Sequence, residues 1–269
     1  MTYFGFLGLF VGIPILILLF VVWWDARRGR SLTPALRAFP PLLVLLGHIL
    51  IALIYTTPWD NYLVATRVWW YDPELVTGIV IGWVPIEEYT FFMVQPILTG
   101  LWLFFLAKRD YFTAVSPSPN EKKARLLGLI IGSLIWVAAT GIFVSQWQPG
   151  TYLSLELGWA MVPILFQIWF GGHLLWRYRR LLGWTIIPTT LYLSFADALA
   201  INSGTWTINP AQSLNWIIGG VLPFEELLFF LLTNTLLGFG MVLVLAVASQ
   251  TRLQSLSVEW LNRKLVKNT

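Results

Sequence analysis

The feature that most constrains this chain is a succession of seven long apolar stretches, separated by shorter segments that hold most of the charged residues. A mostly apolar stretch of about 18 residues or more is long enough to cross a bilayer as a helix. The chain is 57% hydrophobic and only 11% charged, whereas a soluble domain carries roughly 25% charged residues. The sequence therefore predicts an all-α, multi-pass membrane protein with seven transmembrane helices.

The limits of the apolar stretches give the predicted spans. They cover approximately residues 3–24, 38–56, 75–107, 126–143, 155–176, 182–200 and 214–248. The first stretch has no basic residue before it and no small-residue cleavage site after it. We therefore expect it to be a retained span and not a signal peptide.

The basic residues indicate how these spans are oriented. Every Lys and Arg except Arg67 falls in the segments that follow spans one, three and five, or in the C-terminal tail. Because cytoplasmic loops are enriched in Lys and Arg, we expect the N-terminus outside and the C-terminus inside, with the protein in the cell (cytoplasmic) membrane. The same distribution explains the net charge of +4, so we expect no nucleic-acid partner.

Aromatic and basic residues outside the spans suggest contacts with membrane lipids. Four tryptophans fall in the predicted outer loops, where we expect an interfacial aromatic belt: Trp59, Trp69, Trp70 and Trp206. The tail is expected to lie on the lipid surface as an amphipathic helix. Its basic residues are Arg252, Arg263, Lys264 and Lys267.

Parts of the sequence recur at a nearly constant offset. The spacing of Asp60 and Trp69 recurs in Asp197 and Trp206, and a Pro-x-Glu-Glu motif follows each pair. The sequence therefore predicts two parallel three-helix repeats, spans one to three and five to seven, joined by span four as a linker helix. The expected parts are a first repeat (1–107), a basic loop with the linker helix (108–153), a second repeat (154–248) and a cytoplasmic tail (249–269).

Each predicted repeat contains two adjacent glutamates in its last apolar stretch, Glu87 with Glu88 and Glu225 with Glu226. Ionisable groups in hydrocarbon are costly, so they mark a functional site by default. At about 1.5 Å per helical residue from the predicted outer ends, all four are expected near the bilayer midplane. Burial and an adjacent carboxylate both disfavour ionisation, so we expect each pair to hold at least one proton at neutral pH.

A proline stands two residues before each glutamate pair, and glycines precede each proline. Because Pro85 and Pro223 have no N–H, we expect each of them to interrupt its helix. The nearby Gly82, Gly219 and Gly220 would permit a local kink.

The residues that follow place an acid beside aromatic rings on one helix face. The two expected faces comprise Glu88, Phe91, Phe92 and Gln95, and Glu226, Phe229, Phe230 and Thr233. Aromatic faces stabilise cations by roughly 0.5–2 kcal/mol. An acid beside aromatic rings in a dry cavity suits protonation of an alkene and stabilisation of the resulting carbocation.

These motifs resemble those of the membrane-integral lycopene cyclases that lack a flavin domain, in the form that fuses both repeats in one chain. The resemblance rests on the blocks Pro85–Gln95 and Pro223–Asn234, on Asp60 and Asp197, and on the added linker helix. It implies a lycopene β-cyclase, an isomerase (intramolecular lyase) of carotenoid biosynthesis without a cofactor or a metal. Such an enzyme closes the linear ψ-ends of lycopene into β-ionone rings, forming β-carotene via γ-carotene by acid catalysis.

The resemblance also implies roles for individual residues. Glu87, Glu88, Glu225 and Glu226 would be the catalytic acids and bases, with Asp60 and Asp197 as supporting polar groups. The expected contacts to substrate or cation are Phe91, Phe92, Gln95, Phe229, Phe230, Thr233 and Asn234. Lycopene or a related carotene, membrane lipids and other carotenoid-pathway enzymes are the expected partners. Fungal fusions of this family carry a phytoene synthase domain after the cyclase part, and we expect this chain, whose sequence stops at Thr269, to lack that activity.

Several alternatives stay open at the level of sequence. The glutamates could instead join helices structurally, and a proton-coupled transporter would also use parallel repeats with intramembrane carboxyls. A cyclase of C50 carotenoids, or one that forms ε- or γ-ends, would carry the same motifs. His48 and His173 have no partner spacing and are expected to be packing residues. Which glutamate is the acid, whether one or both ends cyclise, and the oligomeric state are left undecided.

Overall fold

The computed structural model describes residues 1–113 and 116–255 of the chain. Residues 247–255, at the start of the predicted tail helix, are helical. The basic residues Arg263, Lys264 and Lys267 of that predicted helix lie outside the described residues.

Seven helices in the described part of the chain are long and apolar enough to cross a membrane, which confirms the predicted number of spans. Short 3₁₀ turns lie in the segments before the second, sixth and eighth helices, at Pro34–Leu36, Gln148–Gly150 and Pro210–Gln212. The helices, which include the short α4, are α1 (Tyr3–Arg27, with a π-helical stretch at Leu7–Gly12), α2 (Pro41–Ala65), α3 (Ile86–Ala107), α4 (Asp110–Thr113), α5 (Glu121–Ser145), α6 (Thr151–Arg177), α7 (Arg179–Asn202) and α8 (Phe224–Leu245).

Many large apolar side chains on these helices point outward. Leu16 is 66% exposed, Leu134 65% and Val144 73%. Leaving such side chains in water is unfavourable by about 1.5–3 kcal/mol each relative to burial. These faces are therefore suited to lipid, in agreement with a multi-pass membrane protein.

Helices α3 and α8 begin later than the apolar stretches that contain them. The predicted spans start at residues 75 and 214, but the helices start at Ile86 and Phe224. The residues before each helix instead form a two-residue antiparallel hairpin. The strands of these hairpins are β2 (Val80–Ile81) with β3 (Val84–Pro85), and β5 (Ile217–Ile218) with β6 (Leu222–Pro223).

The predicted proline kinks are therefore wrong, and the glycines have a different function. Pro85 and Pro223 are the residues directly before their helices. The helix makes no hydrogen bond to the N–H at this position, so a proline is tolerated there. Gly82, Gly219 and Gly220 have φ values of +68°, +59° and +78° and form the tight hairpin turns.

The late start of α3 and α8 also corrects the expected position of the glutamates along their helices. All four lie in the first helical turn and not halfway along a span. Two further side chains hold the first hairpin in place. The Tyr89 hydroxyl donates to the Ile81 carbonyl (2.8 Å), and the Trp83 N–H donates to Asn61 Oδ1 (2.7 Å).

Helix α2 is longer than its predicted span. It continues past Thr56 to Ala65 and tolerates Pro58 inside it. Asp60, which was expected in an outer loop, therefore lies on a helix and is buried, with 1% of its surface exposed.

A short antiparallel strand pair connects the two halves of the chain. Strand β1 (Trp69–Tyr71) follows α2, and β4 (Trp206–Ile208) follows α7. Trp69 pairs with Ile208, and Tyr71 pairs with Trp206. The pairing brings the segments that precede both hairpins to the same end of the helix bundle.

A buried polar network joins the central helices α3 and α8. The Oδ1 atom of Asn234 accepts hydrogen bonds from Gln95 Nε2 (2.8 Å) and from the Thr99 hydroxyl (2.7 Å). Its Nδ2 group donates to the Thr190 hydroxyl on α7 (3.2 Å). Because all four side chains are buried, these hydrogen bonds fix the register of the three helices against one another.

Ion pairs lie at the opposite end of the bundle. Glu121 at the start of α5 accepts two hydrogen bonds of 2.9 Å from Arg177 at the end of α6. Asp25 at the end of α1 pairs with Arg30 (3.2 Å) and Arg109 (3.0 Å). These contacts tie helix ends together where the basic segments begin.

Candidate active site

The first turns of α3 and α8 open onto one small buried cavity, which we call the acid chamber. Its volume is about 50 Å³. Four acidic residues line it: Asp60, Glu88, Asp197 and Glu226. The remaining lining is aromatic apart from Ile208, and comprises Tyr3, Phe6, Trp59, Trp69, Tyr71, Phe91, Phe92, Tyr152, Trp206, Phe229 and Phe230.

The four acids of the chamber are withdrawn from solvent. The exposed fraction is 1% for Asp60, 9% for Glu88, 2% for Asp197 and 6% for Glu226. The ion pairs found among the described residues involve other carboxylates, at the opposite end of the bundle. A buried carboxyl group without a cation is poorly stabilised as an anion, which favours its protonated form.

Two tyrosine hydroxyls hold Glu88. Tyr3 and Tyr71 both donate to its Oε2 atom, Tyr71 over 3.0 Å. The Trp69 indole N–H in turn donates to the Tyr71 hydroxyl oxygen over 3.1 Å. Burial, together with the nearby carboxyl groups of Asp60 and Glu88, raises the pKa of Tyr71 well above its ordinary value. Tyr71 therefore stays a hydrogen-bond donor across the pH range in which enzymes work.

The second half of the chamber is similar but has fewer donors. Glu226 Oε1 accepts one hydrogen bond, from the Tyr152 hydroxyl over 2.8 Å. Asp197 Oδ1 accepts from the Trp206 indole N–H over 3.0 Å. Ile208 follows Trp206 on β4 by two residues, as Tyr71 follows Trp69 on β1, so an apolar side chain replaces the tyrosine in this half. The two glutamates therefore lie in related but unequal surroundings.

Asp60 has no hydrogen-bond partner among the described residues at either carboxyl oxygen, although both atoms are buried. By its spacing, Trp69 would be its partner, as Trp206 is the partner of Asp197. Trp69 donates to Tyr71 instead. An unpartnered buried polar group is costly and calls for a functional explanation.

Glu87 and Glu225 do not line the chamber. Glu87 Oε1 accepts the N–H of Thr77 over 2.6 Å, and Glu225 Oε1 accepts the N–H of Leu214 over 2.7 Å. Both side chains thus hold the chain segments that lead into the hairpins. Each has one further carboxyl oxygen without a partner among the described residues.

The structure divides the expected aromatic and polar contacts between two places. Phe91, Phe92, Phe229 and Phe230 all line the acid chamber. Gln95 and Thr233 line a second cavity beside it. Asn234 belongs to the buried network between the helices and contacts neither cavity in the described part of the chain.

The expected interfacial belt is wrong for three of its four tryptophans. Trp69 and Trp206 are buried, and Trp59 is half-buried. All three line the chamber. Trp59 stacks on Phe229, with ring centroids 5.9 Å apart and planes 2° from parallel. Their position reflects the closing of the β1 and β4 segments over the helix ends.

The tyrosines that hold the glutamates were not predicted from the sequence. A signal for them is present, because Tyr3 stands as far before Pro14 as Tyr152 stands before Pro163. Glu156, one turn after Tyr152 on α6, was not predicted either. Glu156 is fully buried, and neither of its carboxyl oxygens has a partner among the described residues.

The chain is similar in sequence to proteins of a known family. Residues 1–106 and 149–248 match the family model described as lycopene cyclase. The chain is 36% identical over 254 residues to lycopene beta-cyclase from Halobacterium salinarum, covering 93% of this chain and 99% of that protein. It is 37% identical over 202 residues to a bifunctional lycopene cyclase/phytoene synthase from Podospora anserina, covering 72% of this chain and 33% of that protein. No solved structure matches the chain significantly. The match over both halves means that the chain belongs to the lycopene cyclase family.

Proposed function

We propose that the chain is a lycopene β-cyclase, which closes the ψ-ends of lycopene into β-ionone rings and forms β-carotene via γ-carotene. The observation that carries this proposal is that Glu88 and Glu226, from two different helix starts, line one buried aromatic chamber. The name of the Halobacterium relative, lycopene beta-cyclase, agrees with it. The reaction is an isomerisation, so it needs a proton donor, a proton acceptor and a site that stabilises a cation.

The chemistry balances with one acid and one base. A neutral carboxyl group protonates the terminal double bond of the ψ-end and leaves a tertiary carbocation. The π electrons of the first double bond of the conjugated chain close the six-membered ring and move the cation to the methyl-bearing ring carbon. A carboxylate then removes the proton from the neighbouring ring carbon that carries the polyene chain, which gives the double bond of the β-ring.

We assign Glu226 as the proton donor and Glu88 as the proton acceptor. Two donated hydroxyl hydrogen bonds favour the carboxylate form of Glu88, whereas Glu226 receives one. The sequence neighbour Glu225 and the fully buried Glu156, one turn after the Tyr152 that holds Glu226, add carboxyl groups on that side, and nearby carboxyl groups favour a protonated acid.

The remaining polar groups of the chamber support these two roles. After each turnover the proton has moved from Glu226 to Glu88 and must return. The unpartnered carboxyl of Asp60 is the group best placed to carry it, with Asp197 on the side of Glu226. Glu87 and Glu225 position the helix starts through their backbone hydrogen bonds.

The aromatic walls provide the cation stabilisation. Phe91 and Phe230 meet edge to face at 6.3 Å, and Phe229 and Phe230 at 5.3 Å, so several ring faces and edges surround one point. A desolvated cation–π contact contributes roughly 0.5–2 kcal/mol. A reacting end that enters the chamber displaces water from it, and water would otherwise trap the carbocation as an alcohol.

We further propose that residues 1–107 and 154–248 are two parallel copies of a three-helix unit, joined by the 108–153 segment. Equivalent hydrogen bonds support this. The Tyr55 hydroxyl donates to the Trp159 carbonyl (2.9 Å), and the Tyr192 hydroxyl donates to the Phe10 carbonyl (2.8 Å). The family match, which omits residues 107–148, agrees with a separate linker.

The basic loops support an orientation with the N-terminus outside and the C-terminus in the cytoplasm, in the cell membrane. The helices α3 and α8 then start on the outer side, and the acid chamber lies toward that side of the bilayer. Lycopene or a related carotene is the proposed substrate, and it would reach the chamber from the membrane lipids.

The proposal is tested by expressing the chain in cells that accumulate lycopene and separating the pigments by chromatography. The wild type is expected to convert the acyclic pigment into products with β-rings. The Glu88→Gln and Glu226→Gln variants are expected to leave it acyclic while inserting in equal amounts, and Glu87→Gln, which keeps an acceptor for Thr77, to retain activity. An unchanged acyclic pigment with the wild type would refute the proposal, and ε- or γ-rings would correct the ring type.

A further inference from the structure

A second cavity lies directly beside the acid chamber, and we call it the side groove. Its volume is about 220 Å³. Helices α2 and α6 form its sides, and α3 and α8 form its floor. Most of its lining is apolar or aromatic, and it includes Ile51, Ala52, Tyr55, Trp159 and Leu236.

The side groove and the acid chamber share a wall. Phe91, Phe92 and Phe229 line both cavities. A molecule whose end lies in the chamber therefore has a continuous apolar path past these three rings into the groove.

The outer side of the groove faces the surroundings of the helix bundle. Ile51 is 62% exposed and Tyr55 is 37% exposed. Nearer the chamber, α2 and α6 are joined by side-chain hydrogen bonds, from the Tyr55 hydroxyl to the Trp159 carbonyl (2.9 Å) and from Trp59 Nε1 to the Leu155 carbonyl (3.1 Å). The groove is the gap between α2 and α6 that lies farther from the chamber than these two hydrogen bonds. It opens at the surface of the bundle that would face lipid.

We propose that the side groove binds the polyene chain of the carotene whose end reacts in the acid chamber, and that the carotene enters from the bilayer between α2 and α6. This inference rests on the proposed cyclase function. A chamber of about 50 Å³ is far too small for a long polyene. The rest of the substrate must therefore leave the chamber, and the side groove is a continuous apolar exit toward lipid.

A related groove in the other half of the chain serves as an internal comparison. It lies between α1, α3 and α7, and its lining includes Pro14, Leu98, Pro188 and Tyr192. None of its lining residues in the described part of the chain also lines the acid chamber. The offset that aligns Glu88 with Glu226 aligns Leu98 with Leu236, so the two grooves offer matched positions, one connected to the chamber and one not.

The absence of cysteine from the sequence makes a direct binding test possible. A single Leu236→Cys substitution places a thiol in the side groove, and Leu98→Cys places one in the comparison groove. The full-length variants are reconstituted in phospholipid nanodiscs, and their reaction with N-ethylmaleimide is timed with and without lycopene. The measurement is repeated with Glu226→Gln added, so that lycopene is not consumed.

Lycopene is expected to slow labelling of the Leu236→Cys variant by about tenfold at ten times its Kd, since protection follows the factor 1 + [L]/Kd. The Leu98→Cys variant is expected to react at the same rate with and without lycopene. Ala52→Cys supplies a second position in the side groove should Leu236→Cys fail to fold. Equal labelling of the side-groove cysteine with and without lycopene would overturn the proposal, and lipid acyl chains that fill the groove permanently would give this result. Equal protection of the cysteines in both grooves would also overturn it.

A kinetic comparison separates this inference from the cyclase proposal. Leu236→Trp narrows the side groove and is expected to lower kcat/KM for lycopene at least as strongly as it lowers binding. Ile17→Trp, at a position that lines the comparison groove and is 58% exposed, is expected to leave kcat/KM near the wild-type value. Cyclisation without protection of the groove refutes the groove and leaves the cyclase function in place. Protection without cyclisation by the wild type refutes the cyclase function and leaves the groove as a carotene-binding site.

Discussion

The hydroxyl of Tyr71 provides the sharpest test of the assignment of Glu88 as the proton acceptor. Tyr71→Phe removes one of the two hydroxyls that donate to Glu88 Oε2 and keeps the ring that stacks against Tyr3, with centroids 5.9 Å apart. A hydrogen bond to a charged group contributes about 1.5–3 kcal/mol, and about 1.4 kcal/mol corresponds to a tenfold change in rate. We therefore expect kcat to fall by roughly tenfold to a hundredfold.

The assay is the initial rate of ring formation from lycopene in proteoliposomes, measured for both proteins between pH 7 and about 9, below the ordinary tyrosine pKa of about 10. Because the pKa of Tyr71 is raised, its hydroxyl stays protonated throughout. The lost hydrogen bond favoured the carboxylate form of Glu88, so the variant is expected to recover part of its rate as the pH rises, and the ratio of wild-type to variant rates is expected to fall. Tyr62→Phe, at an exposed position on α2 (48% exposed), is the control. An unchanged kcat for Tyr71→Phe at pH 7 would refute the assignment of Glu88, and a ratio that does not fall as the pH rises would refute the role of the Tyr71 hydroxyl in favouring the carboxylate of Glu88.

Three further predictions concern the hydrogen bonds and the hairpin turn that position the helices around the chamber. Asn234→Ala leaves Gln95 without its buried acceptor and is expected to destabilise the fold by about 1–3 kcal/mol, measured by thermal unfolding in detergent; an unchanged Tm would contradict the role of the network. Glu87→Ala removes the acceptor of the Thr77 N–H, so it is expected to lower Tm, whereas Glu87→Gln is expected to keep Tm near the wild type. Gly82→Ala adds a Cβ at a φ of +68° and against the Asn61 side chain, so it is expected to reduce activity by disturbing the hairpin before α3; a fully active variant would show that this turn does not position the site.

The seven helices could be predicted from sequence because hydrocarbon thickness sets a minimum length that few other structures require. The starts of two helices could not be predicted in the same way. Val80 and Leu222 are as apolar as any helical residue, so hydropathy does not distinguish a membrane helix from a short hairpin with apolar strands. Gly82 was interpreted as the site of a kink because glycine permits both, and only its positive φ identifies the turn.

The acids of the site could be predicted, but their neighbours could not. A carboxyl group in an apolar stretch is conspicuous, and Glu88 and Glu226 were expected to face aromatic rings from helical periodicity alone. A tyrosine near the end of a span is ordinary in a membrane protein, so Tyr3 and Tyr152 are distinguished only by their equal distances from Pro14 and Pro163. Periodicity also could not distinguish the roles of Glu87 and Glu88, since that depends on which backbone N–H the hairpin brings to Glu87.

Both halves of the chain form the chamber, so the steps of the proposed reaction are divided between them. Glu88 takes one of its hydroxyl donors from β1, which pairs with β4 of the other half, and Trp206 of β4 packs on Tyr3 with ring centroids 4.9 Å apart. Neither half alone can therefore close the chamber or exclude water from it. If Glu226 donates the proton and Glu88 accepts it, each half also supplies a different step of one reaction. The inequality of the two glutamates, one with two hydroxyl donors and one with a single donor, is then the property that allows two similar halves to act as an acid and a base.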